Sequence, residues 1–236
     1  MIWQLLELFR GELSAQQSAD LLIDLAAWVF VLLFCVSVHE CAHAWAAKKL
    51  GDDTAWMHGR LTLNPAKHLD FFGSMMILVA GFGYAKPVPV NPRKFKDRKK
   101  GMALTAAAGP LSNLAMAVVL LFVGQLFGAA VSLIGGLNAD MTDLLWNFFV
   151  LAAAFNIRLM LFNLLPIPPL DGSRILDMIL PYKVSMLLSR IERFSFIIAI
   201  AVAFIFSAPL LYLTRWILYG IHFLTGLPFF WVEAII

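Results

Sequence analysis

The sequence predicts an all-α membrane protein with about four transmembrane helices and one re-entrant segment similar to a β-hairpin. Three observations lead to this fold class. Of the 236 residues, 61% are hydrophobic and 14% are charged, whereas soluble domains carry about 25% charged residues. Several apolar runs approach about 20 residues, the length that spans a bilayer. The basic residues cluster in a few loops, which is typical of cytoplasmic loops in membrane proteins.

Composition also limits the class of function. The length predicts a single polytopic membrane domain over 1–236, in contact with the lipid bilayer of the cell membrane. The net charge is +3, and the clustered basic residues indicate orientation in the membrane rather than nucleic-acid binding. Cys35 and Cys41 point to different sides of one helix, so they are predicted to be unpaired apolar fillers. Nothing in the sequence specifies an oligomeric state.

The first two elements differ in length and polarity. Residues 1–12 are apolar but short, without a basic leader or a cleavage site, and predict a helix that lies at the interface. The first transmembrane helix is predicted over 21–50. Its second half becomes polar, and Gly51 follows its end. Ionisable groups at membrane depth are costly and mark functional sites.

Residues 71–85 predict the re-entrant segment, because they are apolar, rich in glycine and short for a helical span. Basic residues precede them at Arg60 and Lys67 and follow them within 93–100. If basic loops are cytoplasmic, both ends of this segment lie on the same side. A simple further crossing is the alternative, and it raises the count to five or six spans.

The remaining apolar runs predict three more spans and a tail. The loop between the second and third spans has acidic residues and no basic ones, so we place it outside the cell. The cytoplasmic side then holds the ends of the first and third spans. The predicted ranges are 102–134 for span two, 144–165 for span three, 194–213 for span four and 214–236 for an interfacial tail.

The first span contains the H-E-x-x-H motif His39-Glu40-Cys41-Ala42-His43. Residues four apart lie on one face of a helix, so both imidazoles can bind one metal ion. Zinc is the metal that this motif predicts, and Glu40 is placed to take a proton from the attacking water. A hydrolytic zinc site needs a third protein ligand and one open position.

Asp171 is the best candidate for the third ligand. It follows the apolar third span and a turn at Pro166-Ile167-Pro168-Pro169, and a carboxylate at that depth needs a cationic partner. Four other carboxylates remain as alternatives. Two lie too close to the end of the first span to fold back easily, one precedes the re-entrant segment and one follows Asp171: Asp52, Asp53, Asp70 and Asp177.

These motifs resemble those of the site-2 protease family, the intramembrane zinc metalloproteases (peptidase family M50). The resemblance covers most of the chain. It rests on the H-E-x-x-H motif, on the segments 59–65, 85–92 and 108–113, and on residues 163–172, which match the family pattern N-x-x-P-x-P-x-x-D-G in full.

The resemblance implies one zinc ion per chain, bound by His39, His43 and Asp171, with Glu40 as the catalytic acid and base. It also implies that Asn163 steadies the reacting carbonyl; a packing or helix-capping amide is the alternative for this residue. A transmembrane substrate must unwind before cleavage, and strand edges can hold the unwound chain. The resemblance supports such an edge at Gly81, Phe82, Gly83 and Tyr84, with a purely structural plug as the alternative.

Three further residues are ambiguous. His58 and His68 are interpreted as hydrogen-bonding groups of a loop rather than ligands, because few zinc sites keep a fourth protein ligand. Arg158 lies within the third span, where it faces a polar cavity, extends to the interface or pairs with a carboxylate. The sequence also predicts a compact family member, without the PDZ or CBS domains that many relatives carry.

The function that the sequence predicts is intramembrane zinc endoproteolysis. The substrates are transmembrane helices of other membrane proteins, cut near their cytoplasmic end for signalling or for clearance of membrane peptides. Two rival functions are a zinc transporter or sensor and a catalytically silent scaffold. Transporters usually contain inverted repeats, which this sequence lacks, and an intact H-E-x-x-H motif argues against a silent scaffold.

Overall fold

A computed structural model describes residues 7–8, 10–70, 73, 85–134 and 139–225. Within these ranges the chain is helical, and strand pairing is confined to one isolated antiparallel bridge between Leu69 and Ala85. Four of the described helices are long and apolar enough to cross a membrane. The described chain therefore confirms the predicted all-α architecture with four candidate spans.

The principal helices are α1 (Ala15–Lys49), α3 (Arg98–Ile134), α4 (Ala139–Asn163) and α7 (Ser195–Thr225). Three shorter helices are α2 (Thr54–Met57), α5 (Asp171–Asp177) and α6 (Tyr182–Ile191). Short 3-10 turns lie at Pro65–Lys67, Pro92–Lys94 and Glu192–Phe194.

Helix α1 begins six residues earlier than position 21 because Ser14 caps it. The Ser14 side chain accepts a hydrogen bond from the Gln17 backbone amide, and the Gln17 side chain binds the Ser14 backbone amide in return. Lys48 and Lys49 occupy the last turn, where cations interact favourably with the helix dipole. Gly51 follows at φ 106°, a left-handed conformation that suits glycine.

One π turn, Val31–Cys35, interrupts α1 just before the H-E-x-x-H motif. The backbone amide of Val36 bonds to the carbonyl of Val31, five residues earlier. Such turns insert an extra residue and often lie at functional sites. The two halves of α1 accordingly pack on different neighbours: the first half on α4 and the second half on α3.

Helix α4 lies at the centre of the buried core. It packs against α3, the first half of α1 and α7. The Trp28 ring of α1 lies 4.0 Å from the Phe155 ring of α4, measured between centroids. Asn156 of α4 is fully buried, and its Nδ2 donates to the Cys35 sulfur and the Ala152 carbonyl. Cys35 and Cys41 are both free thiols, as predicted.

The last helix is longer than the sequence predicts. The predicted span ended at 213, with an interfacial tail over 214–236, whereas α7 continues without a break to Thr225. Thr214 and Leu218 are buried, and Leu218 belongs to the core that α4 organises. Packing therefore outweighs the interfacial character of Arg215 and Trp216, on which the shorter prediction relied. Residues 226–236 lie outside the described part of the chain.

The re-entrant hairpin predicted over 71–85 lies almost entirely outside the described residues. The two flanks of this segment are described, and they meet. Leu69 and Ala85 form the antiparallel bridge, and the Lys86 backbone amide donates to the His68 carbonyl at 2.7 Å. The segment thus starts and ends at one place. The predicted interfacial helix over 1–12 is described only at residues 7, 8 and 10–12.

Candidate metal centre

Three side chains from two distant parts of the sequence converge at the buried face of α1. His39 Nε2 lies 3.0 Å from His43 Nε2, and Asp171 Oδ2 lies 3.4 Å from the first nitrogen and 3.3 Å from the second. Among the described residues, this is the group of histidine, cysteine and acidic side chains whose ligand atoms are close enough to hold a metal ion.

The spacing of the three donor atoms fits zinc. Zinc bonds of about 2.0–2.2 Å at tetrahedral angles place neighbouring ligand atoms about 3.3–3.6 Å apart. The observed separations of 3.0–3.4 Å are close to that range. Asp171 Oδ2 is buried and faces the Nε2 atoms of both histidines, which is the arrangement expected of an oxygen that shares a cation with them.

Contacts with helix α3 confine the two imidazoles. His43 Nδ1 lies 2.7 Å from the Thr105 carbonyl of α3, a contact that requires Nδ1 to carry the proton. The Nε2 lone pair of His43 is therefore directed at the cluster, as second-shell hydrogen bonds direct metal-binding histidines. Both rings pack on Gly109 of the same helix, where a side chain would collide with them.

Asp171 reaches the histidines because the chain turns sharply after α4. Helix α4 ends at Asn163, and Asp171 opens the short helix α5, where an acidic first turn suits the helix dipole. Gly172 permits the close approach: a Cβ there would lie 2.5 Å from the Leu165 carbonyl oxygen. Ser173 Oγ donates to the Leu170 carbonyl at 2.7 Å and tightens the turn.

The two histidines also control the charge of Asp171. Burial alone raises the pKa of this carboxyl, but hydrogen bonds and electrostatic attraction from His39 and His43 outweigh burial and hold the pKa well below its usual range. Asp171 is therefore an anion at neutral pH. An anionic oxygen beside two imidazole nitrogens is a donor set suited to a divalent zinc ion.

A cavity of about 720 Å³ opens beside the three side chains. Glu40 and Asn163 both line it, so all five residues predicted to act at the site face the same space. Asn163 Nδ2 donates to the Leu159 carbonyl at 2.9 Å. This contact is consistent with the alternative interpretation of Asn163 as a packing or helix-capping amide. Gly81, Phe82, Gly83 and Tyr84, predicted to hold the substrate, lie outside the described residues.

An extended segment over 85–91 forms another wall of this cavity. Ala85, Pro87, Val88 and Val90 line the space. Buried polar side chains from the preceding loop hold the segment: Asp52 Oδ2 accepts from the Asn91 backbone amide at 2.6 Å, and Arg60 donates to the Lys86 carbonyl at 3.3 Å.

The rival ligands are engaged elsewhere. Asp52 also accepts from the Thr54 backbone and hydroxyl groups, and Asp70 accepts from the Gly73 amide. Asp53 pairs with Lys94, and this hydrogen bond lowers the pKa of the Asp53 carboxyl. Asp177 lies at the far end of α5, outside the cluster.

His58, His68 and Arg158 also lie outside the ligand cluster. The ring of His58 contacts the Thr54 carbonyl and that of His68 the Thr62 carbonyl, consistent with hydrogen-bonding roles in the loop. The Arg158 guanidinium carbon lies 5.0 Å from the Phe155 ring centroid. Asp24 of α1 is the carboxylate that attracts it electrostatically.

The sequence model of Peptidase family M50 matches residues 27–207, which include all of the converging side chains. The chain belongs to peptidase family M50. This assignment confirms the resemblance to the site-2 proteases and, together with the donor geometry, the predicted zinc metallopeptidase. With four candidate spans, this M50 peptidase is an integral membrane protein.

Several relatives of the chain carry the name "Putative zinc metalloprotease". YwhC of Bacillus subtilis is 43% identical to this M50 peptidase over 183 residues, which cover 77% of this chain and 80% of YwhC. Rip2 of Mycolicibacterium smegmatis is 27% identical over 185 residues, which cover 76% of this chain and 65% of Rip2. No solved structure matches the chain.

Sequence reasoning missed the contribution of α3 to the site. Thr105, Gly109 and Asn113 follow at intervals of four residues and present one helix face to the cavity and the histidines. The available signal was polarity: Thr105 and Asn113 interrupt an apolar helix, and Gly109 lies midway between them. In the sequence, residues 108–113 contributed only to the resemblance to the site-2 protease family.

Replacing Gly109 with alanine is expected to displace both imidazoles. A Cβ at this position would lie 2.6 Å from His39 Cε1 and closer still to the His43 ring. Since a misplacement of about 1 Å at a catalytic site costs about a hundredfold in rate, we expect a comparable loss of peptidase activity with reduced zinc content. Metal analysis of the purified variant measures the second effect.

Gly128→Ala is the matched control for this substitution. It lies in the same helix, and a Cβ there meets nothing within 4 Å. Full zinc occupancy in Gly109→Ala, equal to that of Gly128→Ala, would show that the helix face tolerates a side chain and that the histidines are not confined by it.

Proposed function

We propose that this M50 peptidase is an intramembrane zinc endopeptidase that cleaves transmembrane segments of other membrane proteins. The observation that carries the proposal is the convergence of His39, His43 and Asp171 on one point beside a cavity among apolar helices. A peptidase centre within a bundle of membrane spans is accessible to substrates that themselves lie in the bilayer.

The side chains have distinct roles in this proposal. His39, His43 and Asp171 hold the zinc ion, which when bound polarises a peptide carbonyl and acidifies water. Glu40 takes the proton of the attacking water and delivers it to the leaving amine nitrogen. Glu40 lines the cavity and is only 9% exposed, so it is shielded from bulk solvent. Asn163 supplies its second amide hydrogen to the developing oxyanion.

The substrate is proposed to unwind before it reaches the catalytic glutamate. A helix hides its peptide groups, so cleavage requires an extended stretch. The meeting flanks at Leu69 and Ala85 support a re-entrant segment between them whose strand edge, at Gly81, Phe82, Gly83 and Tyr84, holds that stretch. Basic residues at 93–100 support a cytoplasmic position for the cleaved end.

The test is cleavage of a single-span substrate in vesicles. The purified zinc-loaded protein is reconstituted with a reporter that contains one transmembrane helix, and the cut bond is located by mass spectrometry. We expect a cut inside the apolar segment, near its cytoplasmic end, that is abolished by a zinc chelator. Cuts confined to soluble flanks would contradict the proposal, and intact substrate with bound zinc would favour a sensor or scaffold.

A further inference from the structure

Helix α3 carries a buried side chain whose polar atoms have no partner in the described protein. Asn113 is 1% exposed and lines the cavity, and neither its Nδ2 nor its Oδ1 takes part in a hydrogen bond. Burial of an unpaired amide is unfavourable, and buried polar atoms in proteins are nearly always hydrogen-bonded. A molecule that enters the cavity can supply the partners that this amide lacks among the described residues.

Helix geometry places Asn113 close to the metal centre. Gly109 contacts both histidine rings, and Asn113 follows it by four residues on the same face of α3. Four residues of α-helix rise about 6 Å, and an extended peptide advances about 3.3 Å per residue. Asn113 therefore lies about two residues of extended substrate from a peptide bond at the metal centre.

We propose that Asn113 is a substrate-binding residue that holds one backbone peptide group of the unwound substrate beside the metal centre. The inference rests on the proposed function and adds a named contact to it. An asparagine amide offers a donor and an acceptor together, so it can bond to the C=O and the N–H of a backbone segment at once. Its neighbours in the lining, including Val36, Met102 and Ala106, are apolar.

Recognition of this kind is independent of substrate side chains. A peptide backbone that has left its helix exposes unpaired N–H and C=O groups in a space with little water, which is costly unless the site supplies partners. Asn163 has fewer hydrogen-bonding groups to offer the substrate, because its Nδ2 already donates to the Leu159 carbonyl. Asn113 forms no hydrogen bond with the described residues, so both of its polar groups can pair with the substrate backbone and lower the cost of holding it extended.

The test combines a variant with a modified substrate. A synthetic transmembrane peptide is prepared with single ester bonds in place of peptide bonds, each removing one N–H, across three residues on both sides of the cut. In the wild-type protein we expect one ester position, about two residues from the cut, to lower kcat/KM by about tenfold. In Asn113→Ala we expect kcat/KM to fall about tenfold to a hundredfold, with no further loss from that ester.

A binding measurement keeps the result independent of turnover. In the Glu40→Gln background, fluorescence anisotropy of the labelled peptide is expected to show weaker binding for Asn113→Ala by a similar factor, with zinc content unchanged. Asn147→Ala is the matched control, since Asn147 Oδ1 is also buried and unpartnered but lies outside the cavity lining. This control is expected to retain wild-type binding and cleavage.

Several results would overturn the inference. The Asn113 amide would have a structural role if Asn113→Ala kept binding and kcat/KM within twofold of wild type. The same would follow if every ester position caused an equal loss, or if Asn113→Ala lost zinc in parallel. If the wild-type protein cleaves no transmembrane peptide, the proposed function fails, and the binding comparison alone then decides whether Asn113 contacts the peptide backbone.

Discussion

Replacing Asp171 with alanine is expected to remove bound zinc and abolish peptidase activity. The carboxylate supplies the only anionic donor of the cluster, 3.3 Å and 3.4 Å from the two histidine nitrogens. Loss of an outer-shell partner already costs about 10–100-fold in metal affinity, so loss of a ligand is expected to exceed about a hundredfold. Metal analysis after dialysis against a weak chelator measures the change.

Asp177→Ala is the matched control for that experiment. Asp177 closes the same short helix, and it lies outside the ligand cluster. We expect this variant to keep its zinc and its activity. If Asp171→Ala retained one zinc per chain while Asp177→Ala lost it, the third ligand would have to be reassigned to the later carboxylate.

Replacing Glu40 with glutamine is expected to lower kcat by about 10²–10⁴-fold, the range attributed to a positioned general acid or base. Glutamine has nearly the same shape but cannot accept and return a proton. The histidines and Asp171 are untouched, so zinc content and substrate binding are expected to stay at wild-type levels. Cleavage rates and metal analysis on the same preparation separate these effects.

Glu12→Gln controls for the loss of one carboxylate from the chain, because Glu12 is exposed and precedes α1. It is expected to cleave at the wild-type rate. Wild-type kcat in Glu40→Gln would transfer the proton-accepting role to another group. Loss of zinc in that variant would instead show that Glu40 supports the metal centre rather than the chemistry.

The core of the site could be predicted from sequence because each part leaves a local signal. The spacing of His39 and His43 specifies one helix face, and the proline-rich turn before Asp171 shows where a carboxylate leaves an apolar helix. Membrane depth then limits which residues can meet. These constraints were sufficient to select Asp171 over Asp70 and Asp177, and the structure brings the selected residues together.

Other features could not be predicted because they depend on packing between helices. The face of α3 that meets the histidines is set by the Gly109 contact, which requires knowing how two helices cross. The end of α7 was placed too early because Thr214 and Leu218 are buried by tertiary contacts that hydropathy does not include. The start of α1, in contrast, has a sequence signal in Ser14 and Gln17 that the hydropathy prediction did not use.

The π turn at Val31–Cys35 changes the relative rotation of the two halves of α1 about the helix axis. Each residue of an α-helix turns the next by about 100°, so one extra residue rotates the upstream half relative to the downstream half by about that angle. Trp28 can then pack on α4 while His43 contacts α3, although both belong to one rod. Because of this rotation, the half of α1 before the turn can direct its packing face towards α4 while the half after the turn directs its metal-binding face towards α3.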